Sequence, residues 1–307
     1  MGIGANSKMK KINKLTLSVV MPAYNSEDYI EQAILSVLNQ TFTDFELIII
    51  DDNSTDSTLK IIKKFAKKDS RIRVLQSGKN LNCGGDKCAN LGLDAAEGEY
   101  IARMDADDIS YPTRFEKQIK FLEENKNIFL VGSNADVINH EGKIIGEKTE
   151  PLSSEAIYKA YFGFHPLVHP TCMFRAKLKN GKRFEYQIKY SANNDYYTFF
   201  RLICQGYKFV NIEERLIKYR IHSHNATFVN MKHKFINSLK IRLSIVRNYG
   251  YKPSVKDIVM LGAQTVTVML LPERILLKIY FLAKGIISKE DILSSFKPTL
   301  FRKSLSI

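Results

Sequence analysis

Four apolar stretches follow one another within the first 110 residues, and each is answered by a segment whose apolar residues recur at helical spacing. "LTLSVVMPAY" (residues 15–24) is the first, and Asn25 or Ser26 can cap a helix that carries Ile30, Ala33, Ile34, Val37 and Leu38 on one face. "FELIIIDDNS" is continuously apolar, as a strand covered on both sides must be, and it closes on Asp51 and Asp52. Asp56 then opens a second helix reaching Lys68, and "IRVLQ" reads as the third strand. A Gly-rich turn at Gly84 and Gly85 leads through another helix to "EYIARM". Such alternation predicts an α/β fold, with a mostly parallel, Rossmann-like sheet built by right-handed crossovers and flanked by helices. Ligands of such sheets bind beyond the carboxyl ends of the strands.

"YIARMDADDISYPTRF" sets Asp105, Asp107 and Asp108 at that same edge. Carboxylates so close repel one another, so either solvent screens them in a turn or a cation sits among them. Asp105 and Asp107, two apart on an extended chain, point to one side. Their position beside the Asp51–Asp52 end favours a site. Pro112 suits the first turn of a helix to about Asn125. "FLVGS" predicts another strand, and short pieces around Val137 and Ile144 predict a hairpin. Further on come "FHPLVHPTCMF", a helix from Asp195 to Cys204, a strand from Tyr207 to Val210, and "LIKYRIHSHN". A phosphatase of the haloacid-dehalogenase type would need a later Gly-Asp-x-x-x-Asp motif, which does not occur. No Asp–Lys pairing at the right strands supports a receiver domain.

The net charge of +14 is uneven. From residue 231 onward, 14 Lys and Arg face 4 Asp and Glu, whereas residues 1–230 carry 32 against 28. A near-neutral body with a basic, helical end predicts an anionic neighbour, nucleic acid or membrane. A nucleic-acid platform would interleave basic and aromatic residues, and the excess here lies in a helical tail, so nucleic acid is not expected. Residues 258–271 are apolar, but at ~1.5 Å per residue they span about 21 Å, short of the ~30 Å hydrocarbon core. Beyond Pro272 and Glu273, one arc holds Arg274, Lys278 and Lys284, and Ile275, Leu276, Ile279, Tyr280 and Leu282 fill most of the rest. That pattern fits a helix lying in a membrane interface, one packed on the body of the protein, or a dimer contact. Oligomeric state stays open.

The opening "MGIGANSKMKKINKL" lacks the apolar run of a signal peptide, and Asn6 breaks the myristoylation pattern. The four cysteines form no CxxC pair, which fits free thiols in a reducing compartment. The expectation is a cytoplasmic protein, peripheral on the inner face of the cytoplasmic membrane if the basic end docks there.

Taken in order, these motifs carry a resemblance. "VVMPAYNSEDYIEQAILSVLNQTFTDFELIIIDDNSTDST" resembles the opening of the inverting family-2 glycosyltransferases, which have the GT-A fold. "NLNCGGDKCANLGLDAAEGEYIARMDADD" is similar to their Asn-x-Gly and Asp-x-Asp stretch, and "PTRFEKQIKFLEENKNIFLVGS" continues it. "HPTCMFR", "NNDYYTFFRLICQGYKFVNI" and "LIKYRIH" resemble the acceptor-side motifs. The resemblance covers roughly residues 15–225. It implies a terminal tail (1–14), a catalytic domain (15–230, with a nucleotide-sugar half to about 110 and an acceptor half from 111), and a basic helical region (231–307).

The implied activity is metal-dependent transfer of a sugar from a nucleotide-diphosphate donor, UDP by default, to a glycan or lipid-linked acceptor in bacterial surface-polysaccharide synthesis. Mn2+ or Mg2+ would bridge the two phosphates and neutralise the leaving group, and hard carboxylate oxygens suit either ion. By resemblance Asp107 is a direct ligand, Asp105 faces ribose or metal, and His222 reaches the metal or diphosphate; Asp108 caps the following turn. Asp52, with Asp51 beside it, would accept hydrogen bonds from the nucleobase, and the backbone from Pro22 to Tyr24 would line the base pocket. Glu27 would contact ribose or favour a helix N-terminus, Lys87 would meet phosphate or stay solvated, and Arg220 would meet phosphate. Asp195 occupies the position of the general base that takes the acceptor hydroxyl's proton. The family's usual Glu before it is Asn194 here, which can hydrogen-bond an acceptor hydroxyl but carries no charge. His169 would shape the acceptor cleft.

Overall fold

The computed structural model describes residues 15–81, 85–222 and 230–283, apart from the side chains at 274 and 280–283. Its centre is a nine-stranded mixed sheet. The strands are β1 (Leu17–Ala23), β2 (Phe45–Asp51), β3 (Ile72–Gln76), β4 (Tyr100–Arg103), β5 (Ile109–Ser110), β6 (Ile128–Ile138), β7 (Ile144–Lys148), β8 (Met173–Arg175) and β9 (Lys208–Arg220). They lie in the order β3-β2-β1-β4-β8-β6-β9-β5, with β7 beside β6. The longer ladders, β1–β2, β2–β3, β1–β4 and β6–β9, are parallel. The short β8 is antiparallel to both β4 and β6 and joins the two parallel blocks.

Helices cover both faces because strand side chains alternate. Leu17, Val19, Met21, Leu47 and Ile49 face one core, shared with α1 (Ile30–Leu38), α2 (Thr58–Ala66) and α4 (Arg114–Glu124). Val20, Ile48, Ile50 and Ile101 face the other, with α3 (Asp86–Ala95), α5 (Ser154–Ala160) and α6 (Asn194–Cys204). Ile48 and Ile49 are both 0% exposed, and full burial of such a side chain is worth ~1.5–3 kcal/mol. From β1 the chain turns to β2 on one side and later to β4 on the other, so a crevice opens past the carboxyl ends of β1 and β4.

Several boundaries differ from the sequence expectations. "FLVGS" and the piece around Val137 belong to one strand, β6, which pairs with β7 across the expected hairpin. The strand at Tyr207–Val210 runs on through "LIKYR" as β9, because its parallel ladder with β6 continues across register shifts. Helix α1 starts at Ile30: Asn25 sits at φ 46 and its Oδ1 accepts the Thr55 N–H, so it braces a loop instead of capping.

The chain beyond residue 230 forms α7 (Met231–Tyr249), α8 (Val255–Leu270) and α9 (Glu273–Ala283). Of the alternatives left open for this region, α7 packs on the body of the protein. Ile241 and Ile245 are 0% exposed in the core, Arg242 Nη2 donates to Gly163 O at 2.7 Å, and Tyr251 stacks on Phe162. Among the described residues, no helix is long and apolar enough to cross a membrane. Cys88, Cys172 and Cys204 are free thiols, and Cys83 and Lys284 lie outside the described residues.

Candidate active site

Two groups of side chains meet at the crevice. The first follows β4. Ligand oxygens of Asp105, Asp107 and Asp108 lie within 4.8 Å of one another. Asp107 meets His222, whose Nε2 stands 2.9 Å from Asp107 Oδ2. Asp105 is paired with Arg103 at 2.8 Å, and Arg103 also donates to Met104 O. Asp108 is 1% exposed; its Oδ1 accepts the Arg220 N–H at 2.8 Å, and its Oδ2 is buried with no hydrogen-bond partner. Burial, reinforced by Asp107 and Asp105, pushes the Asp108 carboxyl well above its ordinary range.

Hard oxygens crowded on one side, one of them unsatisfied, fit a divalent cation. Asp105, Asp107 and Asp108 make up that cluster, and His222 stands against Asp107 beside it. Beneath the cluster lies Arg114, 0% exposed, donating to Arg103 O at 2.9 Å and to Gln118 Oε1 at 3.0 Å. Burial lowers its pKa to about 10.

The second group surrounds Asp195 at the start of α6. Asn193 holds the cap position, so Asp195 stands inside the first turn. Its Oδ2 faces His165 Nε2 at 3.4 Å and His169 Nδ1 at 3.7 Å. His169 Nε2 in turn meets Tyr186 Oη at 2.8 Å. Burial on its own would raise Asp195, but the nearby His165 and His169 rings and the Tyr196 N–H outweigh it and hold the carboxylate well below the usual range. Burial among aromatic rings lowers His169 to about 3, which leaves it neutral at physiological pH.

Asp86 joins the groups. It is 3% exposed, opens α3, and lies close enough to Asp195, Arg103 and Asp105 to feel their charges. Burial first, then the charges of Asp195 and Asp105, push it well above the carboxylate range against the opposing field of Arg103. Gly85, at φ 88, lets this turn close on Arg103: a β-carbon there would lie 3.4 Å from Arg103 Nη2. Charged groups therefore follow one another from Asp195 past Asp86 to the Arg103–Asp105 pair and the Asp107–His222 pair.

Other expected residues sit differently. Asp52 is 7% exposed and its carboxylate accepts the Leu81 N–H at 3.0 Å, so it organises the loop after β3 as well as facing the crevice end of β2. Asp51 Oδ1 is buried without a partner. Pro22 is buried in β1, while Tyr24 just beyond it is 49% exposed. Lys87 is exposed on the first turn of α3.

Glu27 is exposed and its Oε2 accepts the Ser57 N–H at 2.8 Å, which ties it to the start of α2. Two expectations need correction. Arg220 is 1% exposed, and its guanidinium donates to Asp107 O, Asn139 O, His140 O and Gln32 Oε1 over the Tyr29 ring. It is a brace, not a phosphate contact. Asn194 is 0% exposed and its Oδ1 accepts the N–H groups of Lys189 and Tyr190, so it secures a turn and faces no acceptor.

Arg103, Asp86, Arg114 and His165 also stand in the site, beyond the residues expected there. Their sequence signals are a cation inside an apolar strand, an Arg–Gln pair at i, i+4 on a buried stripe, and two His-Pro pairs four apart.

A sequence model described as glycosyl transferase family 2 matches residues 18–181. The uncharacterized glycosyltransferase MJ1057 of Methanocaldococcus jannaschii is 40% identical over 214 residues, 69% of this chain and 72% of its own. The O-antigen biosynthesis glycosyltransferase WbnJ of Escherichia coli is 32% identical over 211 residues, 67% of this chain and 80% of its own. Among solved structures, S. aureus TarS 1–349 in complex with UDP-GlcNAc aligns with a TM-score of 0.59 at 22% identity, covering 80% of this chain and 70% of that one. The mannosyltransferase PcManGT from Pyrobaculum calidifontis, in complex with GDP-Man and Mn2+, aligns at 0.55 and 14% identity over 88% and 86%. At these identities the structures show the shared GT-A fold.

Proposed function

The chain belongs to glycosyl transferase family 2, and from that premise we propose that it moves a hexosyl or N-acetylhexosaminyl group from a UDP-sugar to a hydroxyl of a glycan or lipid-linked acceptor, with inversion. The observation that supports this reading is the run of charged groups from Asp195 past Asp86 and Arg103 to Asp107 and His222, in which Asp195 would serve as base and the acidic cluster would hold a cation. The nucleotide-sugar half, about residues 15–110, supplies the acidic cluster, and residues 111–230 supply Asp195 and His222.

Asp195, ionised and oriented by His165 and His169, takes the proton of the acceptor hydroxyl as its oxygen attacks the anomeric carbon from the face opposite the diphosphate. His169, kept neutral and fixed through Tyr186, steers the carboxylate without competing for that proton. Asp107 and His222, with the carboxylates beside them, would hold Mn2+ or Mg2+, which would neutralise charge on the departing diphosphate. Arg103 keeps Asp105 in place beside them. Pro22, Tyr24, Asp52 and Lys87 stand along the edge where a nucleotide would lie.

A role in bacterial surface-polysaccharide synthesis draws support from the O-antigen biosynthesis relative. UDP is supported by the TarS complex with UDP-GlcNAc, and a GDP-sugar is the second reading, on the PcManGT complex. Thermal unfolding with a panel of nucleotide sugars, with and without Mn2+ or Mg2+, tests it. A UDP-sugar should raise the Tm in a metal-dependent way. Protection by a GDP-sugar alone would move the donor assignment, and no protection by any nucleotide sugar would sink the reading.

A further inference from the structure

Helix α8 carries apolar residues on both sides. Its half-buried side mixes Leu261 and Val268 with Asp257, Gln264 and Thr265; Leu261 packs on the core and Arg242 Nη1 reaches Gln264 Oε1 at 3.5 Å. Its outer arc is wholly apolar: Val255 is 79% exposed, Ile258 56%, Val259 64%, Val266 57%, Met269 45% and Leu270 76%, with Gly262 and Ala263 between them. A helix on a soluble surface has the opposite pattern, and a contiguous apolar patch of this kind marks a contact surface. No residue of α8 is buried by the rest of the described chain.

We propose that the outer face of α8 is a docking surface for an anionic lipid bilayer, with the helix lying along the membrane interface. Charge decides the occupant. Residues 231–307 carry 14 cationic against 4 anionic side chains, so a second copy seated on this stripe would bring like charge against like charge, whereas an anionic bilayer complements it. Lys252 and Lys256 are exposed at the start of the helix. The helix's one carboxylate, Asp257, is turned away and engaged in a capping box with Ser254. At ~1.5 Å per residue, the 16 residues of α8 extend about 24 Å, so the helix lies in the interface and does not span the ~30 Å core. This assignment is independent of the transfer chemistry, and its test needs no turnover.

The test is flotation of the full chain with phosphatidylcholine vesicles and with vesicles that also contain phosphatidylglycerol, at low and high salt. The whole protein should float with the anionic vesicles at low salt and less at high salt. The double variant Val259→Asp/Val266→Asp should lose roughly tenfold or more of that binding, and Lys252→Glu/Lys256→Glu should lose it selectively at low salt. Thermal unfolding checks that each variant is folded, and the milder Val259→Ser/Val266→Ser pair replaces the first if it is not. Full vesicle binding by a folded stripe variant would overturn the proposal, as would equal binding to neutral vesicles. Light scattering in the absence of lipid supplies the other refutation: an oligomer that the stripe variants break into monomers would mean that a second copy covers this face.

Discussion

His222 Nε2 stands 2.9 Å from Asp107 Oδ2, although 115 residues separate them in the chain. The contact exists because β9, which ends at Arg220, lies antiparallel to β5 just after the acidic cluster, pairing Ile109 with Lys218. Asp107 is thus held from two sides: its side chain meets His222, and its carbonyl accepts the Arg220 Nε–H at 2.8 Å.

From this pairing, removal of divalent metal should abolish transfer, and Mn2+ or Mg2+ should restore it. Asp107→Ala should lose metal-dependent nucleotide binding while its Tm without ligand stays near that of the parent. Isothermal titration with UDP and Mn2+ is the direct measurement. Undiminished, metal-enhanced binding by the variant would remove Asp107 from the cation site.

Asp195→Asn should lower kcat by roughly 10²–10⁴, the range for loss of a general base, with little change in donor affinity. Should donor affinity collapse while kcat held, Asp195 would belong to the donor side.

His169 yields a pH prediction. Buried and neutral, with its pKa lowered to about 3, it binds no proton in the folded protein over a range where the unfolded chain's imidazole, near 6.5, does. The unfolded state therefore holds more protons between about pH 3 and 6.5, and this residue's contribution to stability falls as pH drops through that window. The loss approaches about 1.4 kcal/mol per pH unit at most. Urea unfolding of wild type and His169→Gln at pH 7 and pH 5 should show wild type losing more stability on acidification. Parallel losses would place the ring in a solvated setting.

Arg220 is expected to act through the fold. Arg220→Ala removes donors from Asp107 O, Asn139 O, His140 O and Gln32 Oε1 in a buried setting and should cost about 3 kcal/mol or more by urea unfolding. Arg220→Lys should recover only part of this, since an ammonium cannot reproduce the planar fork. A variant of unchanged stability with lost donor affinity would restore the phosphate contact that the sequence pattern suggests.

The pattern of apolar runs and helical spacing determined the first half of the fold by itself, because burial on both faces of a parallel strand leaves a continuous apolar signature. The carboxylates at the edge were legible for a related reason: charge directly behind a buried strand needs compensation, and the strand end sets its position. Which way the polar side chains turn was decided only by tertiary structure. Asn194 and Arg220 sit in motifs that point toward a substrate, yet both side chains are directed inward, where they hold the backbone at Lys189, Tyr190, Asn139 and His140. Asp86, Arg103 and His165 gained their meaning from partners that close only when α3, β4 and α6 converge. The C-terminal region divides in the same way. Composition marked it as basic and apolar, but only packing could show α7 set into the core and α8 with its apolar face turned outward, because amphipathic periodicity fixes a helix's stripe and not the direction it faces.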